Sequence, residues 1–255
     1  MTKLTFLGTG TSQGIPVIGC NCNVCQSNDS KDKRLRASVL FIIEEKLILI
    51  DAGPDFRQQL LRENISNLNA ILLTHEHKDH TGGLDDIRAI NYIQKKILPV
   101  YCEERVYESL RREYSYAFCE NRYPGAAEFD ITVINDNPFA IEGIVITPIR
   151  AFHYKLPVLG YRIGNIAYIT DANYIPEEEF TKLQNLDYLI INCLRREKHI
   201  SHFSLNEAIA VARRVKAKSC YLTHLSHQLG MNLSLTQSLP NGITPAYDGL
   251  TLVSK

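Results

Sequence analysis

Three histidines and an aspartate fall within the hexapeptide His75-Glu76-His77-Lys78-Asp79-His80, giving four side chains of the types that ligate metal ions. The segment follows the apolar run Ala70-Ile71-Leu72-Leu73 and precedes Thr81-Gly82-Gly83, as a loop leaving a buried strand would. In extended chain alternate side chains share a face, so His75 and His77 can hold one ion while Asp79 and His80 turn toward a second. The chemistry served by such spacing is hydrolysis assisted by two metals. A solvated loop that happens to contain histidines is the plain alternative, and the clustering directly after a strand weighs against it.

A second group of ligand types is Cys20-Asn21-Cys22-Asn23-Val24-Cys25, inside a loop spanning about residues 19–28. Seven cysteines in 255 residues are too sparse for a disulfide scaffold. Three thiols this close converge more readily on one soft-ligand ion, and tetrahedral Zn²⁺ is the ion that favours them. The residues alone leave the fourth ligand open, with Cys102, Cys119, Cys193 and Cys220 among the candidates.

Further ligand types must come from the ends of other strands. Val145-Ile146-Thr147-Pro148-Ile149 leads toward His153, Ile166-Ala167-Tyr168-Ile169-Thr170 ends at Asp171, and Cys220-Tyr221-Leu222-Thr223 ends at His224. Leu47-Ile48-Leu49-Ile50 likewise ends at Asp51. The remaining pattern predicts strands near Leu4–Leu7, Val39–Ile43, Ile131–Ile134, Tyr161–Ile163 and Leu186–Ile191. It predicts helices from Leu84 into Tyr92, over Glu103 to Glu113, and from Leu205 to about Val215. Two sets of strands with helices, each ending in ligand types, predict an α/β chain folded as a four-layer αββα sandwich, with the site on one edge between the sheets.

The chain is 45% hydrophobic and has a formal net charge of zero, which suits one domain over residues 1–255 and gives no electrostatic drive toward nucleic acid or membrane. No long apolar span and no secretory leader pattern is present, so a cytoplasmic location is expected. Arg34, Arg36, Lys95, Lys96, Arg111, Arg112, Arg195 and Arg196 are interspersed with acidic residues and are expected on solvated faces. Gly8-Thr9-Gly10-Thr11-Ser12 is expected to be a plain turn, and Tyr114, Tyr116 and Tyr123 either wall a pocket or pack a lid helix.

The motif H-x-H-x-D-H resembles the signature of the metallo-β-lactamase superfamily. That resemblance implies that His75, His77 and His153 hold the first ion, that Asp79, His80 and His224 hold the second, and that Asp171 bridges them. Asp51, in the early Asp-x-Gly segment Asp51-Ala52-Gly53, is then the carboxylate that receives a ligand histidine's other ring nitrogen. Gly8-Thr9-Gly10-Thr11-Ser12-Gln13-Gly14-Ile15-Pro16, the Gly19-Cys20-x-Cys22-x-x-Cys25 loop and Thr223-His224-Leu225-Ser226-His227-Gln228 narrow the resemblance to the PhnP family of cyclic phosphodiesterases, nearly end to end.

That family implies His227 as the fourth ligand of a structural Zn²⁺ beside Cys20, Cys22 and Cys25. It also implies two catalytic divalent ions, Mn²⁺ or Zn²⁺, and a homodimer. His202, in Ser201-His202-Phe203-Ser204, stands where the family and the tRNA 3′-processing enzymes carry an active-site histidine that is not a ligand. General acid catalysis is its implied role, alongside Asp79 and Asp171 at the reacting centre. His199 is a neighbouring alternative, expected to face solvent. Two divalent ions against two aspartates and a hydroxide leave one positive charge, which favours a small anionic phosphodiester. The expected activity is therefore a dinuclear metal-dependent phosphodiesterase acting on a small cyclic phosphate or nucleotide-like phosphodiester. The alternatives are a tRNA 3′-processing endonuclease, a thioesterase of the glyoxalase II kind, and a zinc-stabilised cofactor-pathway or binding protein without turnover.

Overall fold

The structure is a computed structural model that describes residues 1–119 and 121–254. Among the described residues fourteen strands form two seven-stranded sheets. The first sheet takes β1 (Thr2–Gly8), β2 (Ser38–Ile43), β3 (Lys46–Ile50), β4 (Ala70–Leu72), β5 (Leu98–Cys102) and β6 (Phe129–Val133). The second takes β7 (Phe139–Ile141), β8 (Ile144–His153), β9 (Leu156–Ile163), β10 (Ile166–Ile169), β11 (Tyr188–Asn192), β12 (Ser219–Thr223) and β13 (Ile243–Pro245). The last strand, β14 (Thr251–Ser254), returns to the first sheet, whose order is β14-β1-β2-β3-β4-β5-β6. The second sheet runs β13-β12-β11-β10-β9-β8-β7.

Each sheet changes from antiparallel to parallel pairing partway across. In the first, β3, β4, β5 and β6 are parallel neighbours, and in the second β10, β11, β12 and β13 are. The carboxyl ends of β3, β4, β10 and β12 deliver Asp51, His75, Asp171 and His224, the end of parallel strands at which α/β sheets place their ligands.

Helices cover the outer faces: α1 (Asn23–Gln26), α2 (Phe56–Arg62), α3 (Lys78–Thr81), α4 (Arg88–Gln94), α5 (Glu104–Glu113), α6 (Ser115–Phe118), α7 (Leu205–Val215) and α8 (Asn232–Ser238). Alternation within the strands explains the layering, because successive side chains face opposite ways and both faces are buried. On β10, Ile166 and Tyr168 join the core between the sheets, while Ala167 and Ile169 pack outward with Leu205, Ala208 and Ala212 of α7. On the first sheet Leu4, Phe6, Phe41 and Ile48 face the inner core, and Leu7, Leu40 and Leu49 face Phe56, Leu60, Val106 and Leu110 of α2 and α5. Burial of each such side chain contributes about 1.5–3 kcal/mol. The αββα sandwich expected from the sequence is the observed fold.

The predicted helix from Leu84 into Tyr92 is broken: a 3₁₀ turn occupies Leu84–Ile87 and α4 continues from Arg88. The strand expected to stop near Ile149 runs on to His153, paired with β9 throughout. Arg34 departs from the solvated reading. It is 5% exposed, and its guanidinium donates to the Thr9 hydroxyl at 2.8 Å, to the Asn232 side-chain oxygen at 3.0 Å and to the Ala246 carbonyl. Five donors on one planar group satisfy three separate segments at once, which a mobile surface cation does not do.

Candidate active site

The chain between β4 and α3 must pass close to the Asp51-Ala52-Gly53 turn, and two glycines permit it. A Cβ on Gly53 would stand 2.0 Å from the Asp79 carbonyl oxygen, and one on Gly83 would stand 2.1 Å from that of Gly53. This contact sets Asp79 and His80, on α3, beneath Asp51. Tyr114 holds the end of α3 by donating to the Thr81 carbonyl at 2.8 Å, and Tyr116 donates to Asp85. Tyr114 and Tyr116 therefore support the ligand helix from outside, which is the packing role. The sheets are tied at the same edge, where the Tyr161 hydroxyl donates to the Leu73 carbonyl at 2.6 Å.

Asp51, fully buried and in the left-handed region at φ 65°, is the hub of the inner side. It accepts from the Thr74 backbone N–H at 2.9 Å and from the Thr74 hydroxyl, while its Oδ2 lies 2.7 Å from His80 Nδ1. With Nδ1 so engaged, His80 presents Nε2 to the site. His153 is fixed in the same way, its Nδ1 donating to the Ser201 carbonyl at 2.7 Å. These contacts choose the tautomer of each ring, as carboxylate and carbonyl partners do for ligating imidazoles.

Around Asp171 the donors converge. Its Oδ2 lies 3.3 Å from His80 Nε2, 3.3 Å from His202 Nε2 and 3.9 Å from His75 Nε2, while its Oδ1 lies 3.1 Å from His224 Nε2. Asp79 Oδ2 approaches His80 Nε2 at 3.2 Å and His224 Nε2 at 3.6 Å. His75 Nε2 and His77 Nδ1 are 3.0 Å apart, and the ring of His153 lies 5.2 Å from that of His77. The residues expected at the catalytic centre all lie in this cluster, although His75 and His77 fall outside the donor groups that converge most closely among the described residues. Ligand atoms of Asp79, His80, Asp171 and His224 lie within 4.8 Å of one another, as do those of His153, Asp171 and His202.

Burial disfavours charge on Asp79, His80, Asp171 and His224, yet at each the opposite charges beside it prevail. His224 is pushed up to about 9 and His80 well above the ordinary histidine value, against burial, chiefly by Asp171 and Asp79. His224 and His80 in turn hold both aspartates well below the usual carboxylate range. Burial and the nearby His80 push His75 the other way, well below its ordinary value. The pocket is therefore shaped for positive charge. His80 Nε2 and both ring nitrogens of His224 are buried without a hydrogen bond of good geometry, although carboxylate oxygens stand 3.1–3.6 Å from the two Nε2 atoms, so these donors face a common centre that suits a further ligand. Divalent ions fit this donor set.

Sequence reasoning missed two residues that aim it. The Thr74 hydroxyl bridges Asp51 and His75 Nδ1, the latter at 2.9 Å. Asn192 is fully buried, accepts from the Ala172 N–H at 2.8 Å and donates to the Ala172 carbonyl at 2.9 Å, fixing the backbone beside Asp171. A polar residue ending the apolar run Leu189-Ile190-Ile191 was the available signal. His199 does not simply face solvent, since its Nδ1 lies 3.2 Å from His202 Nδ1. His202 itself is 9% exposed and precedes α7, whose entry is fixed by Glu207 accepting from the Ser204 N–H and hydroxyl at 2.9 and 2.6 Å.

The cysteine loop closes on the turn after β12. Cys20, Cys22 and Cys25 sulfurs lie 3.3, 3.4 and 3.6 Å from His227 Nδ1. A tetrahedral zinc with ordinary Zn–S and Zn–N lengths has S···N edges of roughly 3.5 Å, so the four donors fit that ion. The backbone N–H of Cys25, with the His227 ring, lowers the Cys22 thiol to about 6 against burial, which favours the thiolate a metal requires.

A β-lactamase superfamily domain model matches residues 46–225. The chain belongs to the metallo-β-lactamase superfamily. The crystal structure of a diphosphatase from the PhnP family superposes with a TM-score of 0.94 at 38% identity, over 100% of this chain and 98% of that one, so the protein is a PhnP-like member. An octanoyltransferase of Porphyromonas gingivalis is 43% identical over 98% of this chain, yet the match takes in only 51% of that protein, so the chain spans about half of its relative's length. Zinc-bound PqqB from Methylobacterium extorquens shares the fold, with a TM-score of 0.79 at 17% identity over 99% of this chain and 100% of that one. Fold and site together define a metal-dependent hydrolase. No helix among the described residues is long and apolar enough to cross a membrane.

Proposed function

We propose that the chain is a dinuclear metal-dependent phosphodiesterase acting on a small cyclic phosphate or nucleotide-like phosphodiester. The observation that carries this reading is Asp171, whose two oxygens reach the His75, His80, His202 and His224 rings together. His75, His77 and His153 would hold one divalent ion, Asp79, His80 and His224 the other, and Asp171 would touch both. When bound, the ions would polarise phosphoryl oxygens and bring the pKa of a water to roughly 7. Asp51 and the Ser201 carbonyl keep His80 and His153 in the ligating tautomer. Cys20, Cys22, Cys25 and His227 would hold a structural Zn²⁺.

His202 is the proton donor of this scheme. Its Nε2 faces Asp171 Oδ2 at 3.3 Å, which orients the ring, and burial lowers its pKa from the ordinary histidine value with Asp171 opposing, which makes it a stronger acid but leaves less of it protonated at neutral pH. It passes that proton to the departing alkoxide. The diphosphatase relative supports phosphorus as the centre attacked. The competing reading is a thioesterase of the glyoxalase II kind; the relative named for octanoyl transfer matches this chain over only 51% of its own length.

A kinetic panel with metal-loaded protein decides between them: a ribose cyclic phosphate, a nucleotide diphosphate, an octanoyl thioester and a precursor tRNA. Higher kcat/KM on the cyclic phosphate or diphosphate is expected. Faster cleavage of the thioester or the tRNA refutes the proposal.

A further inference from the structure

Beside His77 and His153 a cavity of about 500 Å³ opens, lined also by Tyr154, Lys155, Leu156, Ile200 and Ser201. It is shallow and widely open to solvent, so a ligand there lies against its floor with one side in water. It is continuous with the site, because the exposed His77 and partly exposed His153 form its inner wall. Its outer wall is unusual for a surface. Tyr154 is 52% exposed and Ile200 65% exposed, so two large apolar side chains stand in water at the mouth of a polar centre.

The position of Tyr154 is built. Only Tyr154 and Lys155 separate β8 from β9, and Tyr154 takes the left-handed backbone at φ 60°, which a tyrosine adopts at some cost. Its N–H donates to the Asn173 side-chain oxygen at 2.7 Å, and the Asn173 amide donates to the Ile200 carbonyl at 3.1 Å. Asn173 thereby ties the hairpin tip and the Ile200 loop to the strand end that carries Asp171. The backbone that carries the ring is thereby held beside the reacting centre. Lys155 places its ammonium over one face of the ring, 5.5 Å from the centroid, so a stacked base takes the opposite face or displaces it.

Building on the phosphodiesterase reading, we infer that Tyr154 is a stacking platform for a nucleobase, so that the substrate is a nucleotide whose phosphate reaches the metal centre while its base lies on Tyr154 beside Ile200. A flat π-face accepts any base, and the apolar Ile200 and Leu156 exclude water around it. Lys155 supplies a cation for the anionic ligand at the entrance.

The test uses metal-loaded full chain with Tyr154→Phe and Tyr154→Asn. Asparagine suits the left-handed turn position, so this variant keeps the hairpin while removing the ring. Binding of adenosine 5′-monophosphate and of ribose 5-phosphate is measured by calorimetry, and kcat/KM is measured on adenosine 2′,3′-cyclic phosphate and on a base-free ribose cyclic phosphate. Y154N should lose roughly 5- to 150-fold in affinity for the nucleotide, the loss of one base–aromatic stack, with ribose phosphate binding unchanged and Y154F close to wild type. The same split should appear in kcat/KM. Equal binding of nucleotide and ribose phosphate by the wild type, or nucleotide affinity unaffected in Y154N, overturns the platform. If wild type binds the nucleotide in a Tyr154-dependent way but opens no cyclic phosphate, the hydrolytic reading falls and the platform stands.

Discussion

Replacing Asp51 by asparagine removes one interaction and leaves the surrounding geometry in place. Asn tolerates the left-handed backbone at φ 65°, and its side-chain oxygen can still accept from the Thr74 N–H at 2.9 Å. What it cannot do is accept from His80 Nδ1, now 2.7 Å from a second donor. His80 must then move its proton to Nε2, the nitrogen facing Asp79 and Asp171, or lose its alignment. Losing such a partner typically costs 10- to 100-fold in metal affinity. A hydrogen bond to a charged group contributes about 1.5–3 kcal/mol, which for a chain of this size lowers the melting temperature by roughly 3–12 °C. Metal affinity is read by competition with chelators of graded strength, and stability by thermal melting of the metal-loaded protein. D51N binding metal within twofold of wild type would refute the reasoning and leave Asp51 as a turn residue only.

Asp171→Ala and His77→Ala should each lose catalytic metal and nearly all turnover while keeping the far-ultraviolet circular dichroism of the folded chain; full activity without that metal would exclude the two-ion scheme. Cys22→Ser should release one tightly held zinc, seen by metal analysis, and lower the melting temperature, because structural zinc stabilises the fold directly. His202→Ala should retain both catalytic metals and lose roughly 10²- to 10⁴-fold on a substrate with an alkoxide leaving group, but less on a nitrophenyl ester that needs no proton. An equal small loss on both substrates removes His202 from the proton transfer, and loss of metal makes it a ligand.

Four of the expected site residues were legible because each follows an apolar run, and a strand that stops at the rim of a sheet must hand its next residues to the site. Asp51, His75, Asp171 and His224 follow β3, β4, β10 and β12 in this way. Edges were harder. β14 is four residues long and gains its meaning only by pairing with β1, as Thr2 with Ser254 shows. The sequence reading places no strand at Leu98–Cys102, where Pro99 lacks the N–H a central strand uses, yet β5 lies between β4 and β6. Arg34 reads as one more charge among Lys31, Lys33 and Arg36, because nothing local reveals partners at Asn232 and Ala246. Tyr154 was equally silent: its place beside the site depends on a hairpin tip tied to Asn173, a contact across nineteen positions of chain.

The donors proposed for the ions are gathered from both sheets, with His75 and Asp79 on one side and His153, Asp171 and His224 on the other. No fragment of the chain can assemble the set, so ions bind the docked sandwich and not its parts. Such a ligand stabilises the folded state by mass action, by about 4.1 kcal/mol when free metal exceeds its dissociation constant a thousandfold. Against a total stability of about 5–15 kcal/mol for a typical domain, that is a large share. The supply of metal would thus govern how long the folded protein survives as well as how fast it works, and its melting temperature should climb with free-ion concentration.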